Sequence, residues 1–381
     1  MAALEVLFFI ALVFLGVQML TLIGNLFTFP VLSGSPPAED MGLKPLVAVS
    51  DRQKENDAVK ERVSILIPAR NEIENLPGTL PRVLSQSAVE VIVLDDESTD
   101  GTTEYLEKLS PLHSNLKVIR GEPLPKGWSG KNWACHQLSQ AATGGILIFT
   151  DADVFWEKGT LESLLEFRSN NNAEFVSVWP RQLTCSWLEV VTIPIIDMIL
   201  LGSLPYWGVK YLPFAQFSAG NGQLMLWTRE AYKKIGGHEK FKSEVLEDVR
   251  MGQYAKRIGL RIALALGGEV ISTRMYRNDA DVMKGFSKNI VAATGNKPLL
   301  VFALLLNTLA HTAPLFLIAV DKRWFWVLGL SLLQRALTCL KTKRDWREFI
   351  YQPFMSYAIW RIGLRALRQK GYSWKERSYE A

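Results

Sequence analysis

The sequence is poor in the residues that build metal or disulfide scaffolds. Its 381 residues include only three cysteines, Cys135, Cys185 and Cys339, and four histidines that stand apart from one another. Neither set has the spacing of a zinc site, and three scattered cysteines do not form a disulfide framework. The composition therefore excludes a small disulfide-bonded scaffold and disfavours a zinc enzyme.

Glycine-rich phosphate loops are also missing. The chain has no G-x-x-x-x-G-K-[ST] segment, and no G-x-G-x-x-G follows its first β-rich run. The nearest candidate, Gly127-Trp128-Ser129-Gly130-Lys131, matches neither pattern. Kinases, P-loop NTPases and Rossmann dehydrogenases are disfavoured on this basis, whereas binding of a nucleotide diphosphate through a metal ion stays open.

Charge is scarce and unevenly placed. Charged residues make up 21% of the chain against 48% hydrophobic residues, and the mean hydropathy is +0.08. Of the net charge of +5, residues 341–381 contribute +6, from ten Lys/Arg and four Asp/Glu, which leaves −1 for the rest. A basic tail on a near-neutral body is not the pattern of a nucleic-acid-binding protein.

The longest apolar stretch lies at the N-terminus. Leu4 to Leu32 contains a single charge, Glu5, and a helix needs about 20 predominantly apolar residues to cross a bilayer. We interpret this stretch as a transmembrane anchor. The alternative is a cleaved signal peptide, which is disfavoured because a basic n-region is missing and the stretch exceeds the roughly 7–15 residues of an h-region.

Two further apolar stretches lie toward the C-terminus. Residues 299–320 contain no Asp, Glu, Lys or Arg, and residues 324–340 are interrupted by Arg335. We expect a membrane hairpin here, followed by an interfacial segment at 349–360 that is too short to cross. Amphipathic helices lying on the membrane are the alternative for the last two segments. A transporter is disfavoured because the stretches hold almost no ionisable residues apart from Arg335.

Basic residues predict the orientation in the membrane. The first forty residues contain no Lys or Arg, whereas Lys44, Arg52, Lys54 and Lys60 follow the anchor. The positive-inside rule places residues 40–290 on the cytoplasmic face of the inner membrane and the basic tail against anionic headgroups. The basic residues in the turn of the hairpin count weakly against this orientation. The predicted organisation is an anchor at 1–32, a linker at 33–61, an α/β domain at 62–290, a membrane region at 291–360 and a cytoplasmic basic tail at 361–381.

Short β-rich runs alternate with amphipathic segments after residue 62. Such alternation predicts an α/β fold with a mostly parallel sheet and helices on both faces. Sheets of this kind bind ligands at the carboxyl ends of their strands. The runs are 63–67, 91–95, 117–120, 146–150 and 174–179.

Three of the predicted strand ends are acidic. They read Pro68-Ala69-Arg70-Asn71-Glu72, Asp95-Asp96-Glu97 and Asp151-Ala152-Asp153. Carboxylates gathered at one sheet edge repel one another unless a cation lies among them, and Mg²⁺ or Mn²⁺ binds carboxylates while leaving positions for phosphate oxygens. The alternative is ordinary turn chemistry at the second of these ends and an Asp151 that merely ends a strand.

A further acidic pair opens a helical pattern that runs to Ile258. Glu247 and Asp248 fit two interpretations. Acidic residues are favoured in the first turn of any helix because of the helix dipole. A carboxylate beside a reacting centre also serves as a general base that deprotonates an attacking hydroxyl. The segment by itself does not decide between them.

Taken together, these motifs resemble a known family. Residues 62 to about 290 resemble the inverting family 2 glycosyltransferases of GT-A fold, which have a mixed, mostly parallel sheet. The matching motifs occur in the order of that family: PARNE, VIVLDDESTDGT, FTDADV, GNGQLMLWTREAYKKIGGHE and EDVRMGQYAKRIG. The resemblance implies a hexose donor in the form of a UDP- or GDP-sugar, with Mg²⁺ or Mn²⁺ as cofactor.

The resemblance also implies roles for single residues. Asp151 and Asp153 would form the D-x-D pair, with Asp153 as principal metal ligand, and Asp248 would be the catalytic base. Glu72 would lie near the ribose of the donor and Asp96 near its base. The remaining implied residues are Pro68, Asn71 and Asp95 for the nucleotide sugar, Lys131 for the diphosphate, and Gly220, Gly222 and Glu247 for the acceptor side.

Departures from the family pattern narrow the function. The Q-x-x-R-W motif of processive members is missing, so a single transfer is expected. Arg274 and Arg277 stand in that region instead. They are interpreted either as a clamp on the leaving phosphates or as an ordinary surface pair. The segments GEPLPKGWSGKNWACHQ, RMYR, GFSKN and GYSWKERSY resemble the membrane-anchored branch associated with carotenoid and hopanoid pathways. They imply a membrane lipid or terpenoid acceptor. The alternatives are a polyprenyl-phosphate sugar synthase and a non-catalytic membrane scaffold.

Overall fold

The computed structural model describes residues 2–34, 62–86, 90–369, 371–374 and 377–380. Residues 35–61 of the predicted linker, with the basic residues that follow the anchor, lie outside the described residues. The chain divides into two compact units, here called the helical unit and the sheet unit. The helical unit comprises Met1–Phe29, Gln182–Gly208 and Arg274–Ala381, and the sheet unit comprises Pro30–Arg181 and Val209–Thr273.

A seven-stranded sheet forms the centre of the sheet unit, in the order β3-β2-β1-β4-β8-β6-β9. All neighbouring pairs are parallel except those made by β8, which runs antiparallel to β4 and β6. A short strand β5 pairs antiparallel with β10. The strands are β1 (Val63–Ala69), β2 (Glu90–Asp95), β3 (Leu116–Arg120), β4 (Ile146–Thr150), β5 (Val154–Trp156), β6 (Phe175–Trp179), β7 (Arg181–Gln182), β8 (Leu224–Thr228), β9 (Ile262–Leu266) and β10 (Ile271–Thr273).

The sheet is buried on both faces, which explains why its central strands are almost wholly apolar. Alternate residues of a strand point to opposite faces. Accordingly Ile65 and Ile67 belong to one apolar core, whereas Leu66 belongs to the other. The helices of this unit are α2 (Leu76–Leu84), α3 (Thr102–Leu109), α4 (Gly130–Ala141), α5 (Thr160–Asn170), α9 (Arg229–Lys234), α10 (Gly237–Lys240) and α11 (Glu247–Arg257).

The residues just after the N-terminal helix complete one edge of the sheet. Val31 forms a parallel bridge with Leu266 of β9. The N–H of Leu32 donates to the Leu266 carbonyl over 2.9 Å, and the N–H of Leu266 donates to the Pro30 carbonyl over 2.9 Å. The predicted anchor extends to Leu32, but its last three residues are therefore part of the sheet unit.

The helical unit gathers three separate stretches of sequence. Helix α1 packs on the helices formed by 194–203 and 324–341, and the helix at 355–368 packs on those at 279–294 and 297–307. Residues 182–208 were assigned to the α/β domain by sequence, yet they group here. The helices are α1 (Ala2–Thr28), α6 (Trp187–Thr192), α7 (Pro194–Ser203), α8 (Tyr206–Tyr211, which continues into the sheet unit), α12 (Asp279–Thr294), α13 (Lys297–Asn307), α14 (Ala313–Leu317), α15 (Trp324–Lys341) and α16 (Met355–Arg368).

Two stretches of the described chain are long and apolar enough to cross a membrane. They are Ala2–Thr28 and Lys297–Leu317, the second being formed by α13, a π-helical turn at Thr308–Thr312 and α14. The predicted second C-terminal span at 324–340 does not join them, because Arg335, Gln334 and other polar residues lower the hydropathy of α15. The predicted interfacial segment at 349–360 is formed in equal parts by the end of a 3₁₀ helix, Trp346–Phe354, and the start of α16.

From Ser331 onward, helix α15 buries polar side chains and exposes apolar ones, whereas its first turns bury Trp324 and Val327. Its buried face carries five polar or sulfur-containing side chains, and its outer face carries aromatic and aliphatic ones. In a water-soluble helix the distribution is the reverse. The buried set is Ser331, Gln334, Arg335, Thr338 and Cys339, and the exposed set is Phe325, Trp326, Leu333 and Leu340, all at least 48% exposed.

Candidate active site

Strand order brings the acidic segments to one edge of the sheet. Strands β2, β1 and β4 are parallel neighbours, so their carboxyl ends lie side by side. Strand β8 runs antiparallel to β4, which places the loop before β8 next to the residues after β4. The N–H of Asp151 donates to the Gln223 carbonyl over 3.2 Å, and this contact joins the two segments.

Lys131 and Asp151 form an ion pair at this edge. The Nζ atom of Lys131 lies 2.6 Å from Oδ1 and 2.9 Å from Oδ2 of Asp151. It also lies 3.3 Å from the carbonyl oxygen of Gly222. Burial opposes charge on Lys131, yet the carboxylates of Asp151 and Glu247 raise its pKa above the ordinary value for lysine. The ammonium is therefore charged throughout the physiological pH range.

Asp248 is held by two backbone donors in the first turn of α11. Its Oδ2 accepts from the N–H of Gly222 over 2.6 Å, and its Oδ1 accepts from the N–H of Val249 over 2.8 Å. Burial raises the pKa of this carboxyl above the ordinary range, although Lys131 and the two backbone hydrogen bonds oppose the rise. A fixed carboxylate of raised pKa has the properties of a general base.

Two glycines make room for this arrangement. A Cβ on Gly220 would lie 2.2 Å from the carbonyl oxygen of Asp248. The backbones of these two residues therefore approach too closely for any side chain at position 220. A Cβ on Gly222 would lie 3.1 Å from Lys131 Nζ and 3.4 Å from Glu247 Oε1. Glu247 is buried beside the same amino group. The predicted acceptor-side residues are thus brought together with Lys131, Asp151 and Asp248.

Asp153 has the character of a ligand for a cation. Its Oδ1 is buried and has no hydrogen-bond partner. Burial, together with the neighbouring charges of Asp151 and Glu72, raises the pKa of Asp153. Such an oxygen gains stability when a cation binds to it. The residues present therefore fit a divalent ion at Asp151 and Asp153.

The protein would supply only part of the coordination shell. Within the described residues, no group of three or more His, Cys, Asp or Glu side chains forms a complete metal site. Mg²⁺ in particular is often held by one or two carboxylates together with substrate phosphates and water. An incomplete protein shell is therefore compatible with an ion that binds along with a phosphorylated substrate.

Hydrogen bonds join the loop after β1 to the loop after β2. The N–H of Asn71 donates to Ser98 Oγ and the N–H of Thr99 donates to Asn71 Oδ1, both over 2.9 Å. Glu72 accepts from the Asn75 side chain over 2.6 Å. Asn71 has a positive φ of 53°, which a short polar side chain tolerates better than most. These contacts place Asn71 and Glu72 at the same edge as Asp96.

Not every acidic residue of the second motif is available to a ligand. Asp95 accepts from the N–H of Ser98 and from the Thr103 hydroxyl, and so it organises the turn. Asp96 is buried directly after β2, where its N–H donates to the Ala69 carbonyl over 2.8 Å. Pro68 lies within β1 and pairs in register with Leu94. For Asp95 the turn interpretation accounts for the contacts, whereas Pro68 and Asp96 stay candidates.

Arg274 and Arg277 belong to the helical unit. Arg274 lies 3.4 Å from Glu189, whose side chain is fully buried, and also donates to the Arg277 carbonyl over 3.2 Å. A structural ion pair accounts for these contacts. The described contacts do not include them in the group formed around Lys131 and Asp248.

One residue that sequence reasoning passed over organises the site. The side-chain amide of Asn132 donates to the carbonyls of Phe241, Lys242 and Glu244 over 2.9, 3.3 and 3.2 Å. It is fully buried and follows Lys131 on α4. It therefore ties the loop that leads into α11 to the helix that carries Lys131. Its place in the segment GKNWACHQ was the only signal in the sequence.

A buried Tyr232–His238 pair was missed as well. The Tyr232 hydroxyl lies 2.7 Å from Nδ1 of His238, and the ring of Phe149 lies 4.8 Å from the imidazole. Burial, together with the charges of Lys131 and His136, lowers the pKa of His238 to about 3. This histidine is therefore a neutral core residue of the sheet unit.

Comparison with known sequences identifies the region around these residues. Residues 64–193 match the family described as Glycosyl transferase family 2. This segment of 130 residues is thus similar to the family 2 glycosyltransferases. The match contains the loops after β1 and β2, Lys131, and the pair Asp151 and Asp153. The resemblance predicted from the five motifs is thus confirmed.

Two similar bacterial proteins carry the same name, 4,4'-diaponeurosporenoate glycosyltransferase. The protein from Staphylococcus haemolyticus is 26% identical over 261 residues, which cover 67% of this chain and 68% of the relative. The protein from Staphylococcus aureus is 26% identical over 254 residues, which cover 64% of this chain and 65% of the relative. The chain thus spans about two thirds of the length of these relatives.

A solved structure matches nearly the whole chain. It is the mannosyltransferase PcManGT from Pyrobaculum calidifontis in complex with GDP-Man and Mn²⁺, with a TM-score of 0.53 and 18% identity. The match covers 95% of this chain and 99% of that protein. At this identity the likeness concerns the fold, and it confirms the predicted GT-A-like α/β arrangement with a mostly parallel sheet.

Proposed function

We propose that this protein is a membrane-bound, inverting glycosyltransferase that moves one hexose from a nucleotide sugar to a hydroxyl of a lipophilic acceptor. The family 2 domain supports glycosyl transfer. The relatives named for a carotenoid acid support a terpenoid acceptor. The solved structure that contains GDP-Man and Mn²⁺ supports a nucleotide sugar and a divalent ion.

Asp248 is the proposed base. Its carboxylate, fixed by Gly222 and Val249, would accept the proton of the acceptor hydroxyl as that oxygen attacks the anomeric carbon. The raised pKa favours the proton transfer. Direct attack on the side opposite the leaving group inverts the configuration at that carbon. Glu247, buried next to Lys131, helps to keep the ammonium charged.

The donor would lie along the strand ends. Asn71 and Glu72 are proposed for the nucleoside with Asp96, and Lys131 for the diphosphate, whose negative charge an ammonium stabilises. Asp151 and Asp153 are the proposed metal ligands. A bound Mg²⁺ or Mn²⁺ would neutralise charge on the departing nucleoside diphosphate.

The helical unit is the proposed membrane-binding part. Two of its stretches are long and apolar enough to span a bilayer, and α15 exposes apolar side chains while it buries polar ones. A surface of that kind is stable against lipid. With the basic C-terminal residues, it supports an inner-membrane protein whose sheet unit faces the cytoplasm. A membrane position would give the site access to an acceptor dissolved in the bilayer.

The group formed by Lys131, Asp151, Gly222 and Asp248 within a family 2 domain carries this proposal. The test is release of nucleoside diphosphate by the detergent-purified chain with Mn²⁺ or Mg²⁺, across UDP- and GDP-sugars, with and without a lipid extract. We expect metal-dependent release from one donor, stimulated by lipid. The Asp248→Asn variant is the control for the site.

The product distinguishes the alternatives. Mass spectrometry of the lipid product is expected to show one hexose on a hydroxyl, whereas a sugar phosphodiester would indicate a polyprenyl-phosphate sugar synthase. Absence of both release and donor binding with every nucleotide sugar would contradict the proposal and favour a non-catalytic scaffold.

A further inference from the structure

Lys131 forms an ion pair with the carboxylate of Asp151, which is also a proposed metal ligand. Its Nζ lies 2.6 and 2.9 Å from the two oxygens of Asp151, so both oxygens face the ammonium. The side chains of Lys131 and Asp151 keep 25% and 27% of their surface exposed, so solvent reaches the pair. Asp151 is thus engaged, whereas Oδ1 of Asp153 has no hydrogen-bond partner.

Two cations compete for one carboxylate at this point. An ammonium and a divalent ion repel each other strongly within a few ångströms in a partly buried site. Binding of the ion at both Asp151 and Asp153 therefore requires the ammonium to leave Asp151.

We propose that Lys131 is an exchangeable counter-ion, which holds Asp151 until a divalent ion displaces it and then binds the phosphates of the nucleotide. The inference rests on the proposed function, since it deepens the role of the same site. The carbonyl of Gly222, 3.3 Å from Nζ, is the second contact that the ammonium gives up.

The exchange couples two ligands. The displaced ammonium loses its ion pair with Asp151 when the metal binds alone, and a diphosphate supplies a new anionic partner. The metal and the nucleotide therefore strengthen each other's binding, and the coupling is reciprocal. Without a nucleotide, Lys131 acts as a competitor that weakens the binding of the metal.

The test is Mn²⁺ binding by the full-length chain in detergent without nucleotide, with free Mn²⁺ measured by electron paramagnetic resonance. Lys131→Met removes the charge and keeps a side chain of similar length. We expect it to bind Mn²⁺ roughly five-fold or more tightly than the wild type, at the lower end of typical coupling between sites. Equal or weaker binding, or no binding by either protein, overturns the inference.

Two further variants make the comparison specific. Lys131→Arg keeps the positive charge that competes for Asp151. We therefore expect its Mn²⁺ affinity to lie within about two-fold of the wild type, which is less than the typical coupling between two sites. In an Asp151→Asn background, Lys131→Met is expected to change Mn²⁺ affinity little, because the contested carboxylate is gone. A gain of the same size in that background contradicts the inference.

A measurement on the wild type avoids the risk that a variant fails to fold. Amine labelling with acetic anhydride, read by mass spectrometry at Lys131, is expected to rise when Mn²⁺ is added and to fall when UDP or GDP follows. Labelling that Mn²⁺ does not change overturns the inference. Sugar transfer is assayed separately. An active enzyme whose Lys131 labelling does not respond to Mn²⁺ would contradict only this inference. A labelling response without turnover on any donor would contradict only the proposed function.

Discussion

The backbone N–H of Gly222 donates to Oδ2 of Asp248 over 2.6 Å. This bond links the loop before β8 to the first turn of α11, two segments that are far apart in sequence. The carbonyl of the same glycine faces Lys131. Gly222 therefore contacts both the proposed base, Asp248, and the proposed diphosphate-binding residue, Lys131. A substitution at either of these two residues is expected to shift the position of the other.

Asp248→Asn tests the base. The amide oxygen still accepts from Gly222 and only the hydrogen bond from Val249 is given up, so the fold is expected to persist while proton acceptance is lost. We expect sugar transfer to fall by about 10²- to 10⁴-fold, the usual contribution of a general base, with little change in the KM of the donor. The measurement is initial-rate nucleoside diphosphate release at varied donor concentration.

Glu247→Gln is the matched control for the base. Glu247 is the adjacent acid in the same turn of α11, and it is buried beside Lys131. We expect a smaller loss of rate and a change in donor binding, because the charge next to the ammonium is removed. A larger loss of kcat in Glu247→Gln than in Asp248→Asn would move the role of base to Glu247.

Asp153→Asn separates stability from metal binding. Oδ1 of Asp153 is buried without a hydrogen-bond partner, so a neutral amide costs less to bury in the absence of metal. In EDTA we expect the variant to be more stable than the wild type by about 1 kcal/mol, measured by thermal unfolding. Mn²⁺ is expected to stabilise the wild type only. A variant that is stabilised by Mn²⁺ as much as the wild type would contradict the ligand assignment.

Gly220→Ala tests the close approach of two backbones. The new Cβ would lie 2.2 Å from the Asp248 carbonyl oxygen, so α11 must shift. We expect a loss of about 1–3 kcal/mol in stability, as for other overpacked sites, together with reduced transfer. In Gly34→Ala the nearest atom lies at 3.7 Å, an ordinary contact, and this control is expected to unfold at the wild-type temperature.

His238 predicts a dependence of stability on pH. Burial, with Lys131 and His136, lowers its pKa to about 3 in the folded chain, below the value of about 6.5 expected after unfolding. Its contribution is present above pH 6.5 and is lost as the pH falls toward 3. Between pH 7 and 5 the loss is about 2 kcal/mol. We expect His238→Gln, which keeps an acceptor for Tyr232, to be less sensitive to this change in denaturant titrations; equal sensitivity would contradict the assignment.

Arg335→Met tests the buried polar face of α15. The guanidinium donates to the carbonyls of Val190 and Val191 and to Gln352, and it is fully buried. Unpaired acceptors of this kind cost about 1–3 kcal/mol each, so a marked drop in the detergent melting temperature is expected. Arg361→Met on α16 is the matched control, since Arg361 is exposed and lies over the Tyr357 ring. Similar melting temperatures for both variants would contradict this role for Arg335.

The central sheet could be predicted from sequence because its strands are short apolar runs that end in polar residues. Strands β1, β2, β3, β4 and β6 overlap the predicted runs. Strand β9 was missed, since a five-residue apolar run such as IALAL fits a buried helix equally well. The antiparallel direction of β8 has no signal in its own sequence, although it decides which loop lies next to Asp151.

Grouping into units depends on long-range packing, which a sequence does not display. Residues 182–208 are apolar like the sheet strands, and composition did not assign them to the helical unit. The role of Asn132 was hidden for the same reason, because its three acceptors lie more than a hundred positions away. The acidic strand ends and the pair Glu247 and Asp248 stood out in the sequence itself, whereas the individual roles of Asp151, Asp153 and Asp248 came from the motif resemblance and stay predictions.

The pairing of Pro30–Leu32 with β9 affects how the chain assembles. These residues precede their partner Leu266 by more than 230 positions, so this edge of the sheet stays open during synthesis until β9 is made. An unpaired edge strand is a template for aggregation. A shortened chain that starts at residue 62 would keep that edge bare permanently, whereas one that starts at Pro30 would cover it. Recombinant production of the sheet unit should therefore retain the three residues that follow the first helix.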